Sequence, residues 1–97
     1  MFDKLAEVEN RYQDLEVQLA DPDVLSKQSV FLKLAKERAE IEELVHAYRE
    51  HKKLLDDLEQ NAPLLREADA DLRTMAREEE QRLLALREET ESKLKLL

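Results

Sequence analysis

The stretch from Ser26 to Gln60, SKQSVFLKLAKERAEIEELVHAYREHKKLLDDLEQ, contains neither glycine nor proline and decides the architecture of the chain. Two series of mostly apolar side chains in it each repeat every seven residues. The first series is Leu34, Ile41, Tyr48 and Leu55. The members of the second series lie three residues after members of the first: Leu44, His51 and Leu58. This spacing predicts one helix that buries a stripe against partner helices and exposes charges elsewhere. At 1.5 Å per residue it would be about 52 Å long, so both flanking segments are expected to pack on it.

The composition favours a single all-α domain. The chain has 97 residues, of which 42% are hydrophobic and 41% charged, with two prolines and no glycine. The lack of glycine argues against strands joined by tight turns, and it excludes glycine-dependent phosphate loops and nucleophile elbows. The lack of cysteine excludes a disulfide framework, a thiolate nucleophile and a sulfur metal site, and it fits a reducing cytoplasm.

The charge balance bears on the choice of partner. The formal net charge is −8. An acidic surface repels the phosphates of nucleic acid, so extensive direct binding to DNA or RNA is not expected, and a basic protein is favoured as partner. The segment Met1–Lys4 lacks a basic region followed by an apolar run, and apolar runs elsewhere reach only two or three residues. Neither a secretory signal nor a membrane span is therefore expected.

The segment before the long helix predicts a shorter helix over about residues 2–20. Its apolar side chains alternate steps of three and four: Leu5, Val8, Tyr12, Leu15 and Leu19. The helix should end at Asp21-Pro22, because the residue before a proline is pushed out of helical geometry. The long helix is then expected over about residues 26–60, with the Ser26 hydroxyl as its cap.

The segment after the long helix predicts a last helix over about residues 70–96. Pro63 should end the long helix, and a short helical turn is expected at about 62–68. Asp69 or Asp71 would cap the last helix. Its stripe consists of Leu72, Met75, Ala76, Leu83, Leu86 and Leu94, interrupted by Glu79 and Thr90. The apolar ending at Leu94, Leu96 and Leu97 predicts that the natural chain continues.

Together these segments predict an antiparallel three-helix bundle with a long central helix. Connections of a few residues favour antiparallel neighbours. The first helix is shorter than the central one and should reach only to about Val45. The remainder is therefore expected to taper to a two-helix, coiled-coil-like tip.

The two histidines are the first candidates for chemistry. Glu43 and His46 match half of the Glu-x-x-His pattern of di-iron helical bundles, but no second copy exists, and His46 points away from the predicted stripe. A solvated histidine is the favoured interpretation. His51 lies on the stripe, either as a pH-sensitive contact or, as we favour, as a part-buried imidazole bonded to a carboxylate or water.

The acidic runs and the aromatic residues are more typical of surface and core than of an active site. Glu78–Glu80 and Asp56–Asp57 could suggest acid–base catalysis, which requires a concave, desolvated site that separates the two pKa values. Consecutive acids splay around a helix, so we interpret them as solvated. Tyr12, Phe31 and Tyr48 have core spacing and are interpreted as packing residues. No catalytic, cofactor-binding or metal-binding residue is predicted.

Several short stretches, in order and in spacing, resemble the N-terminal domain of bacterial class I peptide chain release factors. The similarity extends over essentially the whole chain and is carried by Met1-Phe2-Asp3-Lys4-Leu5, Asp21-Pro22-Asp23-Val24, Leu34-Ala35-Lys36-Glu37, Ala47-Tyr48-Arg49-Glu50, Asp69-Ala70-Asp71-Leu72-Arg73 and Met75-Ala76. Within that family it is strongest to the members that read UAA and UAG. It covers about the first quarter of the family's length.

The resemblance implies a helical arm of a translation termination factor. The family's Gly-Gly-Gln and Pro-x-Thr tripeptides are absent, since the chain has no glycine and its two prolines are followed by Asp-Val and Leu-Leu. No catalytic or codon-reading residue is therefore transferred. In the family this arm projects toward the base of the ribosomal L11 stalk and is connected with recycling by the GTPase release factor 3.

Two rival interpretations remain open from the residues alone. A free-standing helical coiled-coil adaptor or chaperone arm would have the same stripes and the same apolar C-terminal end. A carboxylate-bridged metalloenzyme would bind metal through Glu43 and His46.

Overall fold

The computed structural model describes residues 3–97, and its regular elements in that range are all helical. They are α1 (Asp3–Leu19), α2 (Pro22–Leu25), α3 (Gln28–Asn61), a 3₁₀ helix (Ala62–Arg66) and α4 (Ala70–Leu96). The predicted all-α class and long central helix are confirmed. The predicted start of the first helix falls on Phe2, which lies outside the described residues.

Local side-chain chemistry sets the boundary between α1 and α3. The Asp21 carboxylate accepts a hydrogen bond from the Asp23 N–H at 2.9 Å, and Pro22 occupies the first position of α2. Ser26 closes α2, and its hydroxyl donates to the Asp23 carbonyl at 2.8 Å. The predicted role of Ser26 as the cap of the long helix is therefore wrong, because its hydroxyl is bonded on the side of the preceding turn.

The start of α4 is fixed by Asp69 and Arg73. The Asp69 carboxylate accepts from the N–H groups of Asp71 and Leu72, at 2.8 and 3.3 Å. The Arg73 guanidinium donates to the carbonyls of Glu67 and Ala68, at 2.7 and 2.8 Å. These bonds satisfy backbone groups that a turn and a helix end would otherwise leave without partners.

The chain divides into two compact units, Met1–His46 and Ala47–Leu97. In the first unit α1 lies on the first half of α3. Its buried residues are Tyr12, Leu15 and Val45, while Leu5, Val8 and Leu19 are half-buried. All five stripe positions predicted for the first helix thus turn away from solvent.

The second unit pairs the second half of α3 with α4. His51 faces Glu91 and Asn61 faces Ala76, so the two helices run antiparallel. Their buried apolar residues are Ala47, Leu54, Ala76, Leu83 and Leu94, joined by the polar residues His51, Asn61 and Thr90. Apolar side chains from both helices therefore share one core with three polar groups.

At two places in this unit, the buried residue of α3 is the one immediately before the residue that was predicted. Leu54 is 6% exposed, whereas Leu55, predicted on the stripe, is 43% exposed. Ala47 is buried, and Tyr48 is half-buried with the Lys52 ammonium 4.7 Å from its ring centroid. A small residue at Ala47 permits close approach of the partner helix, and the larger tyrosine then occupies the edge.

In α4 the stripe also differs from expectation. Thr90 is buried and continues a seven-residue spacing from Ala76 and Leu83 instead of interrupting it. Leu72 and Met75, which were predicted on the stripe, are exposed. Within residues 3–97, no helix combines the length and apolar composition that crossing a bilayer requires.

Candidate protein-interaction surfaces

Glu43 and His46, the residues of the metal hypothesis, are both exposed on α3. The part of the chain that the structure describes has no group of three or more potential metal-ligating side chains. The His46 ring lies edge-on to Tyr12, with centroids 6.2 Å apart and planes at 72°. The interpretation of His46 as a solvated histidine agrees with its exposure, and the edge of its ring also meets the α1 tyrosine.

His51 is the one histidine with a buried side chain among the described residues. It is 6% exposed, and its Nε2 lies 3.1 Å from the Glu91 Oε1. Arg87 approaches the same carboxylate oxygen, with its Nε at 3.8 Å. The interpretation of His51 as a buried imidazole bonded to a neighbouring carboxylate is confirmed, and the bond links α3 to α4.

The acidic runs contribute surface ion pairs. Asp57 pairs with Lys53 at 2.8 Å, and Glu79 pairs with Arg82. The hydrogen bond from Arg82 lowers the pKa of the Glu79 carboxyl, and the bond to Asp57 raises the pKa of the Lys53 ammonium. A general acid needs a carboxyl whose pKa is raised, whereas the pKa of Glu79 is lowered.

The aromatic side chains pack within the helical layers. Tyr12 is buried, and the Arg38 guanidinium lies 4.9 Å from its ring centroid. Phe31 is half-buried and lines an open groove of about 470 Å³ between the end of α1 and the start of α3. The other residues of this groove are Glu16, Leu19, Ala20, Ala35 and Arg38.

A second concave surface, which we call the Met75 cleft, lies where the 3₁₀ helix meets α4. It has a volume of about 260 Å³ and is lined by Asn61, Leu64, Leu72, Met75, Ala76 and Glu79. Sequence reasoning missed it by assigning Leu72 and Met75 to the buried stripe. The sequence nevertheless indicated this exposure. Both residues closely follow Pro63, which ends the long helix, so the start of the last helix has no continuous helix opposite it.

Asn61 forms the floor of the Met75 cleft. It is 8% exposed, and its side-chain amide donates to the Ala76 carbonyl at 2.9 Å. This bond fixes the last turn of α3 to the second turn of α4, so the wall carrying Met75 is held on a well-defined backbone. The cleft is therefore an apolar opening with a hydrogen-bonded base.

Comparison with known proteins gives a match over nearly the whole chain. The PCRF domain model matches residues 8–97. Proteins named peptide chain release factor 1 are similar to the whole chain: 44% identical in Pelobacter propionicus, 41% in Solidesulfovibrio magneticus and 45% in Geobacter metallireducens. The chain spans 27% of the length of each of these relatives. No solved structure matches it significantly.

Proposed function

This chain belongs to the PCRF domain family of peptide chain release factors, and we propose that it is the helical domain by which a translation termination factor contacts the ribosome. The whole factor would recognise the stop codons UAA and UAG and promote hydrolysis of peptidyl-tRNA. The observation that carries this proposal is the family match over residues 8–97, together with 44% identity to a relative over all 97 residues of this chain.

We propose that the 97 residues act as one functional domain. The family match runs without interruption through both compact units, from α1 to the end of α4. The resemblance of the opening stretch, Met1–Leu5, to the N-terminal domain of the family supports a position at the start of the factor. A domain of this kind would work in the cytoplasm, where translation takes place.

The domain itself would break no bond. The family's Gly-Gly-Gln tripeptide cannot occur in a chain without glycine. Among its carboxylates, Glu37 and Glu79 have a pKa lowered by hydrogen bonds from arginine, the opposite of the raised pKa that a general acid needs. These groups serve as surface charges.

The proposed contact is the base of the ribosomal L11 stalk, with release factor 3 as a second partner. The resemblance to the family suggests both. The net charge of −8 supports a basic protein as partner, because opposite charges speed association and the effect weakens with salt.

Two assays of the 97-residue chain test the proposal. It should cosediment with bacterial ribosomes at low salt and less at high salt, and binding should fall at least tenfold on ribosomes that lack L11. It should give no peptide release at a UAA codon, in contrast to an intact termination factor run in parallel. Stop-codon-dependent release by the chain alone, or equal binding with and without L11, would overturn the proposal.

A further inference from the structure

We infer that the Met75 cleft is a docking site for a basic amphipathic helix of a partner protein. The inference rests on the proposed function, because it assigns the partner contact to one surface and states the chemistry of what binds there. The second unit alone supplies every residue involved.

The apolar part of the argument is the exposure of three large side chains around one opening. Met75 is 63% exposed, and Leu64 and Leu72 are each 45% exposed. Leu72, Met75 and Glu79 follow steps of three and four along α4 and form one wall, while Leu64 forms the other. Apolar side chains grouped in this way typically mark an interaction site, and an unbranched methionine adapts to the shape of a bound apolar face.

The opening continues beyond Leu64. A neighbouring depression of about 300 Å³ shares Asn61, Leu64 and Glu79 with the Met75 cleft and adds Asp57, Gln60 and Leu83. Together they give a track with apolar side chains at its centre and carboxylates at its side. An amphipathic helix binds such a track by placing residues spaced three and four apart into successive depressions.

The electrostatic part of the argument specifies a cationic partner. Residues 56–80 contain nine acidic and three basic residues. Of the three basic residues, Arg73 is bonded to the carbonyls of Glu67 and Ala68. Lys53 and Arg82 offset the charges of Asp57 and Glu79. Among the nine acidic residues, Glu67, Asp71 and Glu78 have exposed side chains.

This charge disfavours the other occupants. Nucleic acid and anionic membrane both present phosphate, which an acidic surface repels. A second copy of this chain also carries a net charge of −8, so pairing two such surfaces would bring like charges together. A helix with lysine or arginine on its polar face satisfies both the apolar opening and its surroundings.

The test uses the 97-residue chain and an 18-residue amphipathic peptide made of leucine and lysine, with binding followed by fluorescence anisotropy. The double variant Leu72→Lys with Met75→Lys should bind the peptide at least tenfold more weakly than the unaltered chain. Met75→Gln, which adds no charge, should bind about threefold more weakly. Val17→Lys is the matched control, because Val17 is 71% exposed in the other unit, and it should stay within twofold. Thermal melting by circular dichroism verifies that each variant is folded.

Several results would overturn the docking inference. One is a peptide affinity that is the same for the unaltered chain, for Met75→Gln and for the double variant. Another is equal or tighter binding of a peptide in which glutamate replaces lysine. A third is a dimer of the unaltered chain that sedimentation detects and the double variant abolishes, since the cleft would then take a second copy.

Ribosome cosedimentation separates this inference from the proposed function. If the unaltered chain binds ribosomes and the double variant does not, the inference is supported. If both bind equally, the cleft is not the contact, and the proposed function still stands. If neither binds while the peptide still needs the cleft, the proposed function fails and the docking chemistry stands.

Discussion

The two compact units place their polar interactions differently. In the first unit the buried residues are Tyr12, Leu15 and Val45, and the ion pair that joins α1 to α3 lies on the surface. There, Arg11 donates from Nε and a terminal nitrogen to both oxygens of Glu37, at 2.5 and 2.8 Å. The second unit instead buries His51, Asn61 and Thr90 among its apolar residues.

This difference affects how precisely paired helices align, as well as how stable each unit is. An exposed ion pair contributes little, because water and salt screen it, whereas a buried polar group is costly to leave unsatisfied. Ala76, Leu83 and Thr90 repeat every seven residues, and such a stripe can pair with its partner in more than one alignment. Polar residues within a seam select one alignment. We therefore expect the Asn61 and His51 bonds to fix how α3 and α4 align.

The largest effect is expected from truncating the apolar core of either unit. Leu15 is fully buried in the first unit and Leu83 is 2% exposed in the second. Leu15→Ala and Leu83→Ala should each lower the free energy of unfolding by about 2–5 kcal/mol, measured by urea denaturation, because each leaves a cavity. The exposed control Val17→Ala should change it by less than about 0.5 kcal/mol. A loss as small as the control's in either unit would show that its core is not where we place it.

Asn61→Ala should have the next largest effect. It removes the buried amide that donates to the Ala76 carbonyl. The expected loss is about 1–3 kcal/mol in the free energy of unfolding, the usual range when a buried polar group loses its partner. Gln60→Ala is the matched control, since Gln60 directly precedes Asn61 and its amide donates to the exposed carboxylate of Asp56, four residues earlier. Equal losses for the two variants would mean that the buried bond does not distinguish this unit from the first.

Substitution of Glu91 should have a smaller effect that depends on the replacement. Glu91→Ala removes the acceptor that lies 3.1 Å from the His51 Nε2, and we expect a loss of about 0.5–1.5 kcal/mol. Glu91→Gln retains an amide oxygen that can accept from the imidazole, so its loss should be about half as large. Urea denaturation at pH 7 measures both. A larger loss for glutamine than for alanine would contradict the hydrogen-bond explanation.

Features with a local cause could be predicted from the sequence. The all-α class follows from the absence of glycine, and the long helix follows from an uninterrupted stretch with seven-residue repeats. The turn at Asp21-Pro22 and the cap at Asp69 depend on side chains that bond to backbone groups two or three residues away. The surface position of the acidic runs likewise follows from the way consecutive residues splay around a helix.

Features that depend on a partner helix could not be predicted. Within the pairs Ala47-Tyr48 and Leu54-Leu55, either member fits a seven-residue repeat, and only the approach of α4 selects Ala47 and Leu54. The Met75 cleft also depends on a partner helix, although the break at Pro63 already indicated that Leu72 and Met75 lack one. Leu72 suits a buried stripe, but it becomes buried only if something lies opposite the first turns of α4.

The smallest effect is expected at the surface ion pair of the first unit, and it should depend on pH. The hydrogen bond from Arg11 lowers the pKa of the Glu37 carboxyl below its ordinary value of 4.5. A carboxyl whose pKa is lower in the folded state stabilises the fold above its unfolded pKa, and this contribution is lost as the pH falls through the folded value. Glu37→Gln should therefore lower the melting temperature slightly at pH 7 and progressively less below pH 4.5.

Salt dependence gives this last prediction its sharpest form. The Arg11 and Glu37 side chains are 42% and 37% exposed, so high salt should weaken their attraction and reduce the difference between the unaltered chain and Glu37→Gln. The buried Asn61 amide is neutral, so the effect of Asn61→Ala should persist in high salt. If salt reduced both effects equally, our conclusion that the first unit relies on surface polar interactions and the second on buried ones would be wrong. A difference at Glu37 that grew as the pH fell below 4.5 would contradict the lowered pKa.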